Sequence, residues 1–298
     1  MRFKSSRNNE PTDYFADGEA ALDFAMIYPI IYPQNAEQYQ VKASGDNMFD
    51  GFLDAIYGAY CTAEGGDDPT IDGNDTTREC SKFKPTNVIS VSWGGEESTS
   101  LFFASGDGGV AGGHGDDCGG SDRAIFKPGA LSGCPYITSV GGVELPAGSK
   151  IGDTLIVPAS RYSPGGRFSN YFPRPAYQND AISEFLSHHT PAFKGYNRTD
   201  GTVPKDSNGG VYNMAGKAYP DIAALAIRGV YGFRRDIHAS GGTSMSAPLF
   251  ADITVGGMNK TNIASCNGNS FDATPGWDPA SGLGSTNYPD MAAYFGKL

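Results

Sequence analysis

Ser244 lies in a run of small residues, HASGGTSMSAP (238–248), that is typical of a reactive hydroxyl at the start of a helix. A serine hydroxyl attacks a carbonyl efficiently only when a neighbouring base accepts its proton. Histidine is the usual base, but none of the 4 histidines has the sequence setting of a Ser-His-Asp triad. The sequence also has no HExxH motif of a zinc peptidase. The base for Ser244 must therefore be sought among other residue types.

Carboxylates are the alternative bases. Glu19 and Asp23 in GEAALD (18–23) are four residues apart, so on a helix they share one face. A carboxylate base works in acid, because the pKa of glutamate is about 4.3 and that of histidine about 6.5. An isolated pair of this kind, however, is more often a solvated helix face.

A third carboxylate, Asp107, ends the apolar run LFFASGD (101–107) in a glycine-rich turn. This is the edge of an α/β sheet at which active sites collect. Taken alone, Asp107 is more simply a turn residue that caps its own backbone.

Short apolar runs predict the strands that would position these residues. They are 87–93, 101–107, 136–142 and 219–226. Continuous apolar strands suit a parallel sheet that is covered on both faces. Helices are predicted at 18–26, 47–60 and 180–189. Together these elements predict one α/β domain over residues 1–298, with helices on both faces of the sheet.

The connection between the first two predicted strands is unusually short. Only residues 94–100 separate them, whereas parallel neighbours are usually joined by a crossover of roughly a dozen residues or more. Either the two strands form a hairpin or a crossover helix has been lost, and the sequence does not decide between these alternatives.

Composition limits the compartment and the partners. The net charge is −11 without a basic stripe, which argues against nucleic-acid binding, and no apolar run is long enough for a membrane span. Sequons at Asn74, Asn197 and Asn259, with 5 cysteines, favour a secreted protein with disulfides. The first residues lack the apolar core of a signal peptide. We therefore expect the N-terminal part of a longer precursor to be missing.

Seven motifs, taken together and in this order, resemble the sedolisins, which are serine-carboxyl peptidases, and most closely their fungal tripeptidyl-peptidase-like members. They are GEAALD, ASGDGG, CPYITSVGG, GGRFSNYFPRPAYQ, YPDIAALA, SGGTSMSAP and GWDPASGLGS, within a region from about Ala16 to Tyr288. The resemblance implies a subtilisin-like fold with a twisted parallel sheet. It also implies a monomeric, secreted peptidase that acts on polypeptides in acid, releasing tripeptides from free N-termini or cutting internally.

The same resemblance implies a role for each candidate residue. Ser244 matches the nucleophile, Glu19 its general base, Asp23 the residue that orients the glutamate, and Asp107 the acid of the oxyanion hole. An aspartic acid donates a hydrogen bond to a developing oxyanion only while it is protonated. Activity in acid follows as an expectation, and the interacting carboxylates are expected to titrate as a group.

The C-terminal region, about 252–288, resembles the calcium site of the family. The ligands implied for one Ca²⁺ are the side chains of Asp252 and Asp278 and the backbone carbonyls of Ile253, Thr274 and Gly276. These are the hard oxygen donors that Ca²⁺ prefers. Without the resemblance, the same residues would be acidic positions in a turn-rich tail.

The cysteines and the missing segments complete the comparison with the family. We expect Cys61–Cys80 and Cys118–Cys134 disulfides, although connectivity does not follow from sequence. The chain lacks a propeptide, the helix between the first two predicted strands, and a helical excursion after Ser244. It is thus expected to be a shortened sedolisin.

Two other functions stay open. One is an inactive relative that serves at most as a binding module. The other, weaker alternative is a glycosidase that uses Glu19 and Asp23, although carboxylates on adjacent turns of one helix do not easily straddle a sugar.

Overall fold

The computed structural model describes residues 2–5, 14–40, 52, 55–56, 82–86, 88–91, 100–111, 117–129, 131–149, 157–250 and 266–285. In chain order the elements are β1 (Arg2–Ser5), α1 (Tyr14–Ile31), β2 (Glu37–Gln40), β3 (Val88–Val91), β4 (Ser100–Ala104), β5 (Thr138–Glu144), β6 (Val157–Pro158), β7 (Arg167–Pro173), α2 (Asn179–His188), β8 (Gly195–Tyr196), β9 (Tyr212–Asn213), β10 (Gly216–Tyr219), β11 (Ile222–Leu225), β12 (Gly229–Phe233), β13 (Asp236–Ser240) and α3 (Thr243–Phe250).

A five-stranded sheet lies at the centre of the described chain. Four strands run parallel in the order β11-β5-β4-β3, and β6 pairs with the end of β5 in the antiparallel sense. Each of the four parallel strands falls on one of the predicted apolar runs, so the α/β prediction is confirmed. The predicted helices at 18–26 and 180–189 are also confirmed, as α1 and α2. Most of the predicted helix at 47–60 lies outside the described residues.

The pairing of β3 with β4 decides between the two alternatives for their connection. The strands are parallel, with Val88 opposite Ser100 and Val91 opposite Phe103, so the hairpin alternative is wrong. Residues 92–99, which join them, lie outside the described residues. At about 3.3 Å per extended residue, eight residues are long enough to return along a four-residue strand without a helix.

Both faces of the sheet are covered, because successive side chains of a strand point to opposite faces. On one face Phe103 packs with Ile89 and Ile137. On the other face Val140 and Ala224 pack against Ala247 of α3. The sheet therefore has α3, the helix of the candidate nucleophile Ser244, on one side and a separate apolar layer on the other.

A second core contains six buried aromatic side chains, one of which belongs to α2. They are Phe126, Phe168, Phe185, Tyr212, Phe271 and Trp277. Many of their rings meet edge to face, at centroid separations such as 5.4 Å for Phe126–Phe271 and 5.5 Å for Phe185–Trp277, a favourable geometry for aromatic pairs.

The disulfide at this core corrects the sequence prediction. Cys118 bonds Cys266, 148 residues away, and the predicted Cys118–Cys134 pair is wrong. The reason is spatial: Cys118 and Cys266 belong to the aromatic core, whereas Cys134 packs with the layer around Phe103 on the sheet. The predicted Cys61–Cys80 pair lies outside the described residues.

Loss of this disulfide should destabilise the fold. A cross-link over so long a loop removes much of the entropy of the unfolded chain, so replacing Cys118 and Cys266 by serine should lower the free energy of unfolding by about 2–5 kcal/mol. Urea unfolding measures the difference, and non-reducing peptide mapping checks the connectivity. A map that joins Cys118 to any other cysteine would contradict the structure.

None of the described helices is long and apolar enough to cross a membrane.

Candidate active site

Two helices bring Glu19 and Ser244 together. Glu19 lies in α1 and Ser244 in the first turn of α3, and the two helices pack against each other. Their approach is close: a side-chain carbon added at Gly229 of β12 would lie 2.5 Å from the sulfur of Met245 and 3.3 Å from a methyl group of Leu22. Glycine at position 229 therefore allows α1, β12 and α3 to meet.

The Ser244 hydroxyl donates a hydrogen bond to the Glu19 carboxyl. Oε1 of Glu19 is buried without a hydrogen-bond partner in the described chain, so Oε2 is the oxygen that faces the serine. Burial raises the pKa of Glu19, the Ser244 hydrogen bond lowers it, and the nearby negative charge of Asp107 raises it. The net result is a pKa above the ordinary glutamate value, and hence a stronger base once it is ionised.

Asp23 follows Glu19 by one helical turn. It is half-buried on α1, four residues after the glutamate, and this spacing puts the two carboxyls on the same side of the helix. The predicted helix and spacing are therefore present in the structure. The orienting role assigned to Asp23 by the family resemblance stays a prediction.

Asp107 follows β4 at the carboxyl edge of the sheet and is held by Thr243, the first residue of α3. The Thr243 backbone N–H donates to Asp107 Oδ1 at 2.8 Å, and the Thr243 hydroxyl donates to the same oxygen at 2.9 Å. Part of the Asp107 side chain reaches solvent, yet the protein packed around its carboxyl raises the pKa. The two hydrogen bonds from Thr243 oppose this shift.

The structure thus places three of the four predicted catalytic side chains around one point, at the start of α3. Of the 4 histidines, His188, His189 and His238 lie in the described chain. His238 stacks on Tyr231 between β12 and β13, with ring centroids 5.5 Å apart, and His188 ends α2 beside Glu184. His114 lies outside the described residues.

The partners of Asp107 were not predicted from the sequence. Thr243 is buried between the Asp107 loop and α3, and the Gly106 N–H donates to its hydroxyl at 3.1 Å. Tyr162 is half-buried, and its hydroxyl donates to the Ala226 carbonyl at 3.3 Å. Burial and then the charge of Asp107 raise the pKa of Tyr162 well above its ordinary value. The sequence signal for this partner of Asp107 was the position of Thr243 directly before the candidate nucleophile, Ser244.

Asp278 is the predicted calcium ligand that the structure describes most fully. Its side chain is 1% exposed. Oδ1 accepts hydrogen bonds from the Ala280 and Ser281 N–H groups at 2.8 and 2.7 Å, and Oδ2 accepts from the Thr274 N–H and the Ser281 hydroxyl, both at 3.0 Å. These donors are neutral, and burial raises the pKa of Asp278 to about 6.

The feature of this loop that suits a hard cation is the buried negative charge of Asp278, an oxygen ligand of the kind that Ca²⁺ takes. No lysine or arginine pairs with this buried carboxyl among the described residues, and a cation would relieve the cost of burying its negative charge. Thr274 and Gly276 lie in the same loop, where a left-handed φ of +83° suits glycine at position 276. Asp252 and Ile253 lie outside the described residues. No group of three acidic, histidine or cysteine side chains forms a metal cluster within the described ranges.

Comparisons with known proteins identify relatives over most of the chain, although no family model matches. The chain is similar to aorsin of Aspergillus oryzae, with 36% identity over 350 residues that cover 93% of this chain and 53% of that protein. It is similar to tripeptidyl-peptidase sed1 of Aspergillus fumigatus, with 33% identity that covers 95% of this chain and 54% of the relative. It is also 30% identical to human tripeptidyl-peptidase 1 over 64% of this chain and 36% of the human protein.

The lengths of these alignments bear on the missing segments. The chain spans about half the length of the fungal relatives it matches. Their alignments run over 350 and 348 residues, more than the 298 of the whole chain, so the relatives carry internal segments that this chain lacks. This supports the expectation of internal deletions.

A solved structure has the same fold. Pseudomonas sedolisin, a serine-carboxyl proteinase, matches with a TM-score of 0.65 and 16% identity over 100% of this chain and 84% of that one. The resemblance carried by the seven motifs is thereby confirmed: the chain is similar in sequence to aorsin and to tripeptidyl-peptidases, and it has the fold of Pseudomonas sedolisin.

Proposed function

We propose that this protein is a serine-carboxyl peptidase that works in acid, with polypeptides as substrates. The observation that carries the proposal is the hydrogen bond from Ser244 to the Glu19 carboxyl, beside an Asp107 carboxyl whose pKa is raised. A hydroxyl, a carboxylate base and a second carboxyl that holds its proton are the parts that acyl transfer needs.

In this reaction the Ser244 oxygen attacks the carbonyl carbon of the scissile peptide while its proton passes to Oε2 of Glu19. Protonated Asp107 donates a hydrogen bond to the oxyanion that forms. Glu19 then gives the proton to the leaving amine, and an ester to Ser244 remains. A water molecule hydrolyses this ester by the same steps, with Glu19 again accepting the proton.

The working pH follows from opposite requirements on two carboxyls. Glu19 must be ionised to act as a base, so activity rises as pH increases through its pKa. Asp107 must be protonated to act as a donor, so activity falls as pH increases through its pKa. Because burial raises both pKa values from those of free carboxyls, we expect a bell-shaped profile with its optimum in acid, where most histidine bases are protonated.

The position of cleavage along the polypeptide is proposed from the names of the relatives. Two of them are named tripeptidyl-peptidases, which supports release of tripeptides from free N-termini over internal cleavage. A reporter with a free tripeptide N-terminus, and the same reporter acetylated on its amino group, separate these modes from about pH 3 to pH 8. Turnover of the free reporter alone is expected, and equal turnover of both would instead indicate an endopeptidase.

A catalytically inactive relative that acts as a binding module is the second candidate, favoured by the internal segments that the chain lacks. It predicts no turnover of either reporter by folded protein at any pH. Circular dichroism and a cooperative urea transition establish folding in the same samples, so inactivity would then contradict the peptidase proposal.

We also propose one Ca²⁺ held by the side chains of Asp252 and Asp278 and the carbonyls of Ile253, Thr274 and Gly276. The buried negative charge of the Asp278 carboxyl, with no lysine or arginine partner among the described residues, supports it. When bound, the ion supplies a positive charge to this loop. The loop is joined to the central sheet, because the Leu283 N–H donates to the Asp221 carbonyl beside β11.

Calcium removal should destabilise the protein. Ca²⁺ at about a hundredfold its dissociation constant adds roughly 2.7 kcal/mol to the free energy of unfolding, so chelation should lower the melting temperature by several degrees. Asp278→Asn should lower the melting temperature difference between calcium and chelator to near zero, and Mg²⁺ in place of Ca²⁺ serves as the matched control. An equal calcium response in wild type and Asp278→Asn would overturn the site.

Secretion as a monomeric glycoprotein is the remaining part of the proposal. The Cys118–Cys266 disulfide supports an oxidising compartment, and Asn197, one of the three sequon asparagines, is exposed. Asn74 and Asn259 lie outside the described residues.

A further inference from the structure

We propose that Thr243 determines which oxygen of Asp107 carries the proton. Thr243 keeps Oδ1 as the hydrogen-bond acceptor and leaves Oδ2 as the O–H that donates to the oxyanion. Thr243 is thus a positioning residue that acts through Asp107. The inference rests on the proposed function, in which Asp107 is the oxyanion acid.

The first step is the geometry at Oδ1. Two donors from one residue converge on this oxygen, the Thr243 backbone N–H at 2.8 Å and the Thr243 hydroxyl at 2.9 Å. In a neutral carboxylic acid the carbonyl oxygen is the better acceptor and the hydroxyl oxygen is the donor. An oxygen that receives two hydrogen bonds therefore takes the carbonyl position, and the proton goes to the other oxygen.

The second step is the direction of the threonine hydroxyl. The Gly106 N–H donates to Thr243 Oγ1 at 3.1 Å. A hydroxyl has one proton, and with one acceptor position already used, that proton points to Asp107 Oδ1. Thr243 is 1% exposed, so water does not compete for these positions. The N–H belongs to the first turn of α3, where the partial positive charge of the helix also favours an acceptor.

The third step is the space around Oδ2. Gly242 has φ +126°, a conformation that favours glycine, and a side-chain carbon there would lie 2.9 Å from Asp107 Oδ2. The absence of a side chain at position 242 therefore leaves room beside the oxygen that carries the proton. Gly242 and Thr243 act on the two oxygens of the same carboxyl in different ways.

Two other titratable groups are close enough to influence Asp107. Glu19 of α1 and Asp107 interact through their charges, and Tyr162 and Asp107 do the same. Glu144 also interacts with Tyr162. Neither substitution below alters these three groups, so any difference between the variants arises at Thr243.

The test compares Thr243→Val with Thr243→Ser. Valine has the shape of threonine but no hydroxyl, whereas serine retains the hydroxyl, and both keep the backbone N–H. The first readout is the infrared carbonyl stretch of protonated Asp107, identified by subtracting the spectrum of Asp107→Asn. Loss of a hydrogen bond to the carbonyl oxygen should move this band to higher frequency in the valine variant and leave it in place in the serine variant.

The second readout is the pH profile. In Thr243→Val we expect kcat to fall roughly two- to tenfold, the size of one hydrogen bond between neutral groups, because Asp107 is protonated when it acts. The alkaline limb should move upward by about one pH unit, because a hydrogen bond that favours ionised Asp107 is lost. A substitution that only damages packing would lower kcat without moving that limb, and Thr243→Ser should retain the wild-type limb.

The outcomes separate this inference from the proposed function. An infrared band that is the same in wild type and Thr243→Val overturns the role of Thr243, whether or not the protein is active. A band that shifts in the valine variant alone supports the role of Thr243, even in a protein that hydrolyses no peptide. In that last case the proposed function fails and the inference about Asp107 stands.

Discussion

Ser244→Ala and Glu19→Gln should each lower kcat by about 10⁴- to 10⁶-fold. The kcat of the double variant should be no lower than that of the less active single variant. The reason is that nucleophile and base act as one unit: without the hydroxyl there is nothing to deprotonate, and without the carboxylate the hydroxyl is a poor nucleophile. Glutamine retains the size of Glu19 and its place in α1, so the loss of kcat in Glu19→Gln reflects the loss of the carboxylate as a base. Single-turnover hydrolysis of the free tripeptide reporter measures the rate of each variant.

The matched control is Glu184→Gln. Glu184 is an exposed residue of α2 beside His188. The substitution should leave kcat within about twofold, because an exposed ion pair contributes little to stability or geometry. Glu19→Gln with activity near that of wild type would contradict the assignment of the base. Losses that multiply in the double variant would show that the two residues act independently.

Asp107→Asn is expected to change the shape of the pH profile as well as its height. An asparagine amide donates a hydrogen bond to the oxyanion at every pH, whereas the aspartic acid donates only while protonated. The alkaline limb of kcat/KM should therefore disappear or move to higher pH. Asp107→Ala removes the donor entirely and should lower kcat by about 10²- to 10³-fold at the acid optimum of the wild type.

The two Asp107 variants control for each other. Asp107 is protonated and uncharged where Glu19 titrates, so the acid limb should stay in place in both variants. Only the asparagine variant should retain activity at the alkaline end. If Asp107→Asn and Asp107→Ala have the same pH profile, Asp107 contributes charge or structure but no hydrogen bond to the transition state.

The strands and the positions of the candidate catalytic carboxyls were predictable because their signals are local. A continuous apolar run such as 136–142 can be satisfied only by burial on both faces, and β5 is buried along almost its whole length. Glu19 and Asp23 are fixed relative to each other by one helical turn. The domain extent over 1–298 stays a prediction.

Other features depend on which distant segments meet, and sequence spacing does not contain that information. The Cys118–Cys266 bond joins residues 148 positions apart, so proximity along the chain favoured the wrong partner, Cys134. In the sequence, Thr243 is an ordinary small residue at the start of a helix. Its proposed positioning of Asp107 depends on the contact between the loop after β4 and α3, which brings together two residues that are 136 positions apart.

The pH dependence of kcat/KM for the free tripeptide reporter, measured on wild type and Glu19→Gln, tests most directly that a carboxylate activates Ser244. We predict for wild type a bell with its maximum in acid and loss of activity toward neutral pH, and for Glu19→Gln no detectable bell. A wild-type profile that rises through about pH 6.5 to a neutral plateau, with Glu19→Gln unaffected, would identify an imidazole base and contradict the account.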